Sequence, residues 1–246
     1  PNSSNNALDP LTNGLVAYYP LDNGSWTDAS GNGNDGINYG TTPSADRFCQ
    51  ENNSYNFAGY GTTQYVEIPN SNSLHFSNAA SFSMWFCLNS TYGCNVYGRA
   101  TMLDNHHVLF AKQDDNLNSI IGRIVVLNNG KFILNTSAGD RNSTVSISDT
   151  LRDYQIGQWV MVSFVYSDTC IELYVNGQLR GRAAGRINFN GPNQQNLRFG
   201  RIQGNWYPIN GKLDDIRIYN RALNAAEIDK IYRKGGRSLI AKINEH

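Results

Sequence analysis

The chain has 246 residues, of which 16% are charged, and its 20 basic and 20 acidic residues give a formal net charge of zero. This length fits one large β domain, and the low, balanced charge excludes the basic surface with which proteins bind nucleic acids. No apolar run reaches the eighteen or so residues that a membrane-spanning helix needs. Neutral polar residues and tyrosines dominate instead, and they favour a neutral polar ligand such as a sugar.

The first predicted segment, residues 1–13, is polar and low in complexity. We interpret it as a linker or tether, because such composition is typical of segments that join a domain to an anchor or to another module. A tether favours export, so we expect an extracellular or cell-surface location, including lipoprotein tethering and the periplasm.

Short strands separated by turn signals such as Asn-Gly and Gly-Pro are predicted along most of the chain. The even-numbered positions of residues 81–88 are apolar and should face the core, since side chains alternate along a strand. Gln158–Tyr166 and Cys170–Val175 are three residues apart and predict a hairpin. Further strands are predicted at Tyr65–Pro69, Val108–Lys112, Ile120–Leu127, Lys131–Asn135, Asn196–Arg201 and Lys212–Tyr219.

One segment near the C-terminus has helical character. Asn224 is a suitable N-cap residue, Glu227 stands at the capping-box position, and apolar residues follow at helical spacing. We expect the pair Gly235-Gly236 to end this short helix and residues 236–246 to form a tail. The folded domain should therefore comprise residues 14–235.

Four cysteines, Cys49, Cys87, Cys94 and Cys170, allow three complete disulfide pairings, and the sequence cannot choose among them. Cys87 and Cys94 are close enough to close one loop, which would leave Cys49 and Cys170 to pair if their strands are neighbours. Buried free cysteines are the alternative.

Five segments of the sequence carry a family resemblance. They are Leu15–Asp22 with Asp28–Gly36, Tyr65–Pro69, Phe82–Phe86, Trp159 with Tyr174–Gly177, and Leu213–Leu223. In this order they resemble the laminin-G-like, or concanavalin A-like, jelly-roll family, which is common as modules in bacterial secreted proteins. The resemblance covers nearly everything from Gly14 to Gly235. It implies an all-β, two-sheet antiparallel jelly-roll sandwich with one short C-terminal helix, but one fold hosts many functions.

A structural calcium ion is expected at Asp22, Asp28 and Asp214. Calcium prefers six to eight oxygen ligands, which the Asp-, Asn- and Gly-rich loop of residues 22–35 can supply. The resemblance implies that Asp214, on the last strand, lies beside this loop. In the alternative interpretation these aspartates only shape turns by accepting local backbone N–H groups.

Aromatic residues among amides predict a sugar site, because sugar rings pack on aromatic planes while their hydroxyls bond to polar side chains. The wider set of loop aromatics includes Tyr39, Tyr60, Tyr92 and Tyr97. The alternative is that most of these rings cover sheet edges or cap the core. The residues chosen as ligand contacts are Trp206, Tyr207, Asn205 and Trp26.

No catalytic residues are expected. Hydrolases that resemble this fold carry a Glu-x-Asp-x-x-Glu run on one strand, and this sequence has none, nor a Gly-x-Ser-x-Gly or His-Glu-x-x-His motif. Adjacent histidines point to opposite sides of a strand, so His106-His107 is interpreted as a solvated loop before the Val108 strand and not as a zinc site.

We therefore expect a monomeric, non-catalytic module of an exported bacterial protein that binds a glycan or glycoprotein. The alternatives are a protein–protein adhesion or structural module without sugar binding and, third, a glycoside hydrolase or lyase whose acids come from distant strands. A large apolar patch would favour the second, and a cleft with facing acids the third.

Overall fold

A computed structural model describes residues 9–59, 61–91, 104–113, 119–127, 132–139, 144–152, 154–185, 194–202 and 207–243. These residues form two antiparallel sheets packed face to face, with one α-helix near the C-terminus, as the sequence predicts. No helix within these ranges is long and apolar enough to cross a membrane.

The strands of the described residues are numbered here in chain order. They are β1 (Leu15–Tyr19), β2 (Ile37–Tyr39), β3 (Thr42–Ser44), β4 (Ser54–Ala58), β5 (Tyr65–Ile68), β6 (Ala79–Leu88), β7 (Asp104–Gln113), β8 (Ser119–Leu127), β9 (Phe132–Gly139), β10 (Thr144–Thr150), β11 (Val160–Ser167), β12 (Cys170–Val175), β13 (Gln178–Ala184), β14 (Leu197–Phe199) and β15 (Asn210–Tyr219). The helix α1 spans Ala225–Ile243.

The first sheet has the order β13-β12-β11-β6-β15-β4-β3, with β1 paired to β15, and the second has the order β10-β9-β8-β7-β14-β5-β2. Consecutive strands pair in three places, which are β11–β13 and β3–β4 in the first sheet and β7–β10 in the second. The remaining neighbours are distant in sequence, so the chain passes repeatedly between the two layers. This interleaving brings β2, β5 and β14 side by side at one edge of the second sheet.

The core lies between the two sheets. Phe82, Met84 and Phe86 on β6 are fully buried there, as their alternation predicts. The ring of Phe82 stacks on Phe110 of the second sheet with centroids 4.2 Å apart, and Phe110 in turn meets Phe164 edge-on at 5.3 Å. Aromatic pairs therefore join the two layers directly.

The helix α1 covers the outer face of the first sheet. Ile228 and Ile231 are buried against Trp85, which points outward from β6, and Tyr232 stacks on Trp85 with centroids 5.8 Å apart. The predicted capping box starts the helix: Glu227 N–H donates to Asn224 Oδ1 at 3.0 Å, and Asn224 N–H donates to Glu227 Oε2 at 2.9 Å.

The end of the helix differs from the prediction. The chain continues in helical form through Gly235-Gly236 to Ile243, so part of the expected tail belongs to the helix. A Cβ on Gly235 would lie 2.8 Å from Trp85 Nε1. Packing against Trp85 therefore requires a glycine at this position within the helix, where the sequence pattern predicts a stop.

The histidine pair also differs from the prediction. His106 and His107 lie inside β7 and not in a loop before it. His107 is fully buried, and its Nδ1 accepts the backbone N–H of Asn210 at 3.2 Å. Burial lowers the pKa of His107 to about 4, so this imidazole is neutral at physiological pH.

Candidate functional site

A pocket of about 760 Å³ opens at the edge of the second sheet, and it is called here the tyrosine pocket. Two loops and two strand ends form it, because β2 pairs with β5 in a register that sets Tyr39 opposite Tyr65. The lining residues are Tyr39, Gly40, Gly61, Thr62, Thr63, Gln64, Tyr65 and Arg201. Its size is that of a small-molecule site.

Two parallel tyrosine rings form one wall of the pocket. Tyr39 stacks on Tyr65 with centroids 4.4 Å apart and an angle of 8° between the rings. Tyr39 is nevertheless 41% exposed, so an aromatic surface remains open to solvent. Burial raises the pKa of Tyr65, which keeps its hydroxyl protonated and able to donate and accept hydrogen bonds.

Arg201 is the one charged residue that lines the tyrosine pocket among the described residues. It is 1% exposed, and its guanidinium carbon lies 4.8 Å from the centroid of the Tyr65 ring. Its Nε and Nη1 atoms are buried without a hydrogen-bond partner. Buried N–H donors are almost always paired in folded proteins, so this arginine is an exception that needs an explanation.

The loop between β4 and β5 carries the polar lining. Thr62 donates its hydroxyl to the carbonyl of Gly59 at 2.8 Å, and Gln64 Oε1 accepts the backbone N–H of Ala58 at 2.6 Å. Gly61 has a φ of +84°, a left-handed conformation that favours glycine. These bonds fix the loop and place the exposed residue Thr63 at the pocket.

Trp26, one of the predicted ligand contacts, is a core residue. It is 5% exposed and packs against Tyr19, Tyr55 and Phe199 at centroid distances of 5.3–5.6 Å. The structure thus places this ring in the core, where the alternative interpretation expects loop aromatics to lie, and contact between Trp26 and a ligand stays a prediction.

Tyr207 lies on the outer face of the second sheet. It packs with Ile202 over Val108, Ala111 and Ile121. Its ring is half-buried and 4.8 Å from that of His106. Tyr207 therefore covers the sheet and does not line the tyrosine pocket. Asn205 and Trp206, the other two predicted contacts, lie outside the described residues.

A second, smaller pocket of about 270 Å³ contains two of the three predicted calcium ligands. Asp22 and Asp214 both line it, together with Asp46, Asp215 and Arg47. Arg47 binds both neighbouring acids, with Nη1 on Asp214 Oδ2 and Nη2 at 3.3 Å from Asp215 Oδ2. Its Nε also donates to the carbonyl of Gly235 at 3.2 Å. Arg47 thus ties β15 to the helix.

Asp214 is 2% exposed, and burial raises its pKa to about 8. The positive charge of Arg47 opposes this shift, whereas Asp215 and Asp46 add to it. Arg217 pairs with Asp215 at 2.7 Å. Ion-pair networks perturb pKa values as active sites do, and the arginines here already occupy the acids, so we interpret this group as structural.

Asp28, the third predicted calcium ligand, is not in this pocket. Its two carboxylate oxygens accept four hydrogen bonds at 2.8–3.0 Å, from the backbone N–H groups of Tyr18, Ser30 and Asn34 and from the Ser30 hydroxyl. In the described part of the chain, no three His, Cys, Asp or Glu side chains are grouped so as to hold a metal. The three aspartates do not fit one calcium site, and calcium binding stays a prediction.

Three of the four predicted disulfide cysteines have free thiols. Cys49 is exposed, whereas Cys87 and Cys170 are buried. The proposed pairing of Cys49 with Cys170 is therefore absent, and the alternative of buried free cysteines describes two of them. Cys94 lies outside the described residues.

Tyr65 and Arg201 were not among the predicted contacts, although Tyr39 belonged to the wider aromatic set. Both lie on or beside strands whose pattern indicated only sheet formation. The pairing of β2 with β5, and of β5 with β14, brings the three side chains together, and no local pattern in the sequence encodes that pairing.

Comparison with solved structures finds the same fold in carbohydrate- and receptor-binding domains. The botulinum neurotoxin serotype D binding domain has a TM-score of 0.66 at 13% identity, over 92% of this chain and 53% of that one. The binding domain of botulinum neurotoxin DC in complex with rat synaptotagmin II has a TM-score of 0.65 at 14% identity, over 91% and 52%. This chain therefore spans about half the length of those structures.

A further structure is matched almost end to end. Domain 4 of AbnA, an extracellular GH43 arabinanase from Geobacillus stearothermophilus, in complex with arabinotriose, has a TM-score of 0.59 at 19% identity, over 89% of this chain and 98% of that one. At these identities the likeness shows the fold alone.

No curated protein matches the sequence. A family model described as the concanavalin A-like lectin/glucanases superfamily matches residues 60–229. Because that match covers more than half of the 246 residues, the chain belongs to the concanavalin A-like lectin/glucanases superfamily.

Proposed function

We propose that this domain is a non-catalytic carbohydrate-binding module and that the sugar binds in the tyrosine pocket. The observation that carries the proposal is Tyr39, a 41% exposed ring held parallel to Tyr65 at the wall of a 760 Å³ pocket. A sugar ring packs its C–H face on such a surface. The stacking partner fixes the orientation of Tyr39 before the ligand arrives, which reduces the entropy lost on binding.

The polar lining suits the hydroxyl groups of a sugar. Thr62, Thr63 and Gln64 line the pocket together with the two rings, and no acidic residue lines it among the described residues. Glycoside hydrolysis normally needs two carboxyl groups across the scissile bond, so this pocket supports binding and not cleavage. A domain of the same fold was solved with arabinotriose bound, which supports a saccharide as ligand without identifying it.

A protein-binding role is the second candidate, because one neighbour of the same fold was solved in complex with a protein, rat synaptotagmin II. Docking surfaces of this kind present contiguous apolar patches. The large exposed hydrophobic residues of the described chain are Ile37, Tyr39, Ile156 and Leu179. Two of these, Ile37 and Tyr39, share the edge strand β2, and β2 is only three residues long. The described surface thus favours the sugar.

The substitution Tyr39→Ala tests the site. We expect it to weaken glycan binding about tenfold, which corresponds to the loss of one aromatic contact of roughly 1.4 kcal/mol. Ile37→Ala on the same strand is the matched control, because Ile37 is 46% exposed and does not line the pocket. The proteins are first screened on a glycan array, and affinities for each bound glycan are then measured by calorimetry.

Two results would overturn the proposal. One is an array on which the wild-type domain binds no plant, host or microbial glycan. The other is a Tyr39→Ala variant that binds as tightly as the Ile37→Ala control, which would place the sugar elsewhere on the domain.

A further inference from the structure

The unpaired donors of Arg201 set it apart from the other arginines near the pocket. Arg198 lies on β14 and also packs over Tyr65, with its guanidinium carbon 4.8 Å from the ring centroid. Arg198, however, is paired with Glu67 through an Nε–Oε2 contact of 2.8 Å. Arg201 has the same aromatic neighbour and no carboxylate, although it is the more deeply buried of the two.

A buried guanidinium without an anion is costly. An arginine stays protonated in proteins, and a charge removed from water without a partner loses its hydration. The ring of Tyr65 compensates in part through a cation–π contact. The two buried N–H groups remain unsatisfied. A ligand bound in the pocket that Arg201 lines can supply the missing partner.

Resting on the proposed function of the tyrosine pocket, we propose that its ligand is an acidic saccharide, a sugar that carries a carboxylate, and that Arg201 pairs with this carboxylate. A neutral hydroxyl could accept one hydrogen bond from Arg201 but would leave the charge uncompensated. A carboxylate neutralises the charge as it accepts a hydrogen bond, and such charge-assisted bonds are about twice as strong as neutral ones.

The arrangement divides recognition between two side chains. Tyr39 supports the ring of the sugar on its exposed aromatic face, which is common to acidic and neutral sugars. Arg201 pairs with the carboxylate, which distinguishes an acidic sugar from its neutral counterpart. No acidic side chain among the pocket-lining residues would repel the carboxylate or compete with it for the guanidinium.

The proposal is tested with matched ligands that differ only in charge. Oligosaccharides ending in galacturonic acid, glucuronic acid and N-acetylneuraminic acid are each compared with their carboxyl methyl esters, which keep the ring and remove the charge. We expect the wild-type domain to bind at least one acid at least tenfold more tightly than its ester, and this preference to shrink as NaCl is raised, since salt screens the ion pair.

Substitutions then assign the preference to one residue. Arg201→Gln should reduce the acid-to-ester ratio to below threefold, while Tyr39→Ala should weaken acid and ester by the same factor. Arg198→Gln is the matched control, because Arg198 lies over the same ring but does not line the pocket, and its ratio should equal that of the wild type. If Arg201→Gln does not fold, the acid-to-ester affinity ratio of the wild type and the dependence of that ratio on NaCl decide whether the ligand is acidic.

The outcomes separate the two proposals. Equal binding of acid and ester, or binding of neutral glycans alone, overturns the proposal of an acidic ligand. The proposal of a carbohydrate-binding module would still stand. A preference for the acid that survives in Arg201→Gln also overturns the assignment. A wild-type domain that binds neither acidic nor neutral glycans overturns both.

Discussion

Asp214 shows how a single carboxyl can be held by opposing influences. Its side chain is buried at the bulge of β15, where Arg47 favours the ionised form while burial and two neighbouring aspartates favour the protonated form. Burial is the largest of these, and the pKa of Asp214 is raised to about 8. The folded chain therefore holds this proton more tightly than the unfolded chain, in which an aspartate has a pKa of about 3.9.

The sign of the resulting pH dependence follows by linkage. Stability from the protonated Asp214 is fully present below about pH 4 and is lost as the pH rises toward 8, at most about 1.4 kcal/mol for each pH unit. Asp214→Asn keeps the shape and removes the titration. The free energy of unfolding of the wild type minus that of the variant should thus fall from pH 4 to pH 8, as measured by urea denaturation at each pH.

Asp229→Asn provides the control for this experiment, because Asp229 is a half-exposed partner of Arg233 on α1, where ion pairs contribute little. The free energy of unfolding of the wild type minus that of Asp229→Asn should stay nearly constant from pH 4 to pH 8. A wild-type advantage over Asp214→Asn that grows with pH would mean that the Arg47 pair dominates and that Asp214 is ionised in the folded domain.

The sequence does not show that Trp26 is buried and Tyr39 exposed, since both are aromatic residues in turn-rich segments. Trp26 enters the core because the first loop folds back over Tyr19 and Phe199, and Tyr39 stays exposed because β2 is an edge strand. Exposure of an aromatic side chain thus depends on where its strand joins the sheet. Local composition identifies the candidates and cannot rank them.

The helix α1 shows the same contrast at the scale of an element. Its start was predicted correctly, because the capping box between Asn224 and Glu227 is a local pattern of four residues. Its end was predicted wrongly, because the glycine at position 235 is required by packing against residues far away in sequence and does not mark the end of the helix. A side chain there would meet Trp85 of β6 and Arg47 of the loop after β3, and both are far away in sequence.

The substitution Gly235→Ala tests this explanation. By helix propensity alone, alanine should stabilise an exposed helical site by about 1 kcal/mol. Here the added Cβ would lie 2.8 Å from Trp85 Nε1 and 3.3 Å from Arg47 Nη2, and overpacking of this kind costs roughly 1–3 kcal/mol. After the gain in helix propensity is subtracted, we expect a net loss of up to roughly 2 kcal/mol. Thermal and urea unfolding measure the change.

Arg233→Ala, on the same helix, is a suitable control because its side chain is 64% exposed, and it should change stability by less than about 0.5 kcal/mol. An increase in stability for Gly235→Ala would show that α1 does not pack closely on Trp85 at this point and that the glycine serves flexibility.

For the whole molecule, the all-β class was predictable because the strands are marked by period-two alternation and by turn residues at regular intervals. The inward set on β6 and the hairpin of β11 and β12 were both found from that pattern. The two-sheet jelly-roll sandwich was implied by the family resemblance. The tyrosine pocket was not predictable, because it exists only where β2, β5 and the end of β14 become neighbours. Long-range strand order is a property of the assembled sheets.

The calcium prediction also belongs to the scale of the whole molecule, because an ion joining the first loop to the last strand would stabilise the entire fold. Instead, Arg47 in the loop after β3 binds Asp214 and Asp215 on the last strand, and Asp28 accepts hydrogen bonds from four N–H and O–H donors. A calcium ion would have to displace Arg47 from Asp214. We therefore expect the same Tm in 1 mM calcium, a concentration on the order of that at which extracellular modules bind the ion, as in excess EDTA.

Differential scanning calorimetry of the wild type and of Asp22→Asn checks this expectation. Calcium at ten times its Kd would stabilise the fold by about 1.4 kcal/mol, which for a domain of this size corresponds to a rise in Tm of a few degrees. A calcium-dependent rise that disappears in Asp22→Asn would contradict our interpretation. It would show that the carboxylates near Arg47 rearrange around an ion, and that the last strand is held to the first loop by metal coordination.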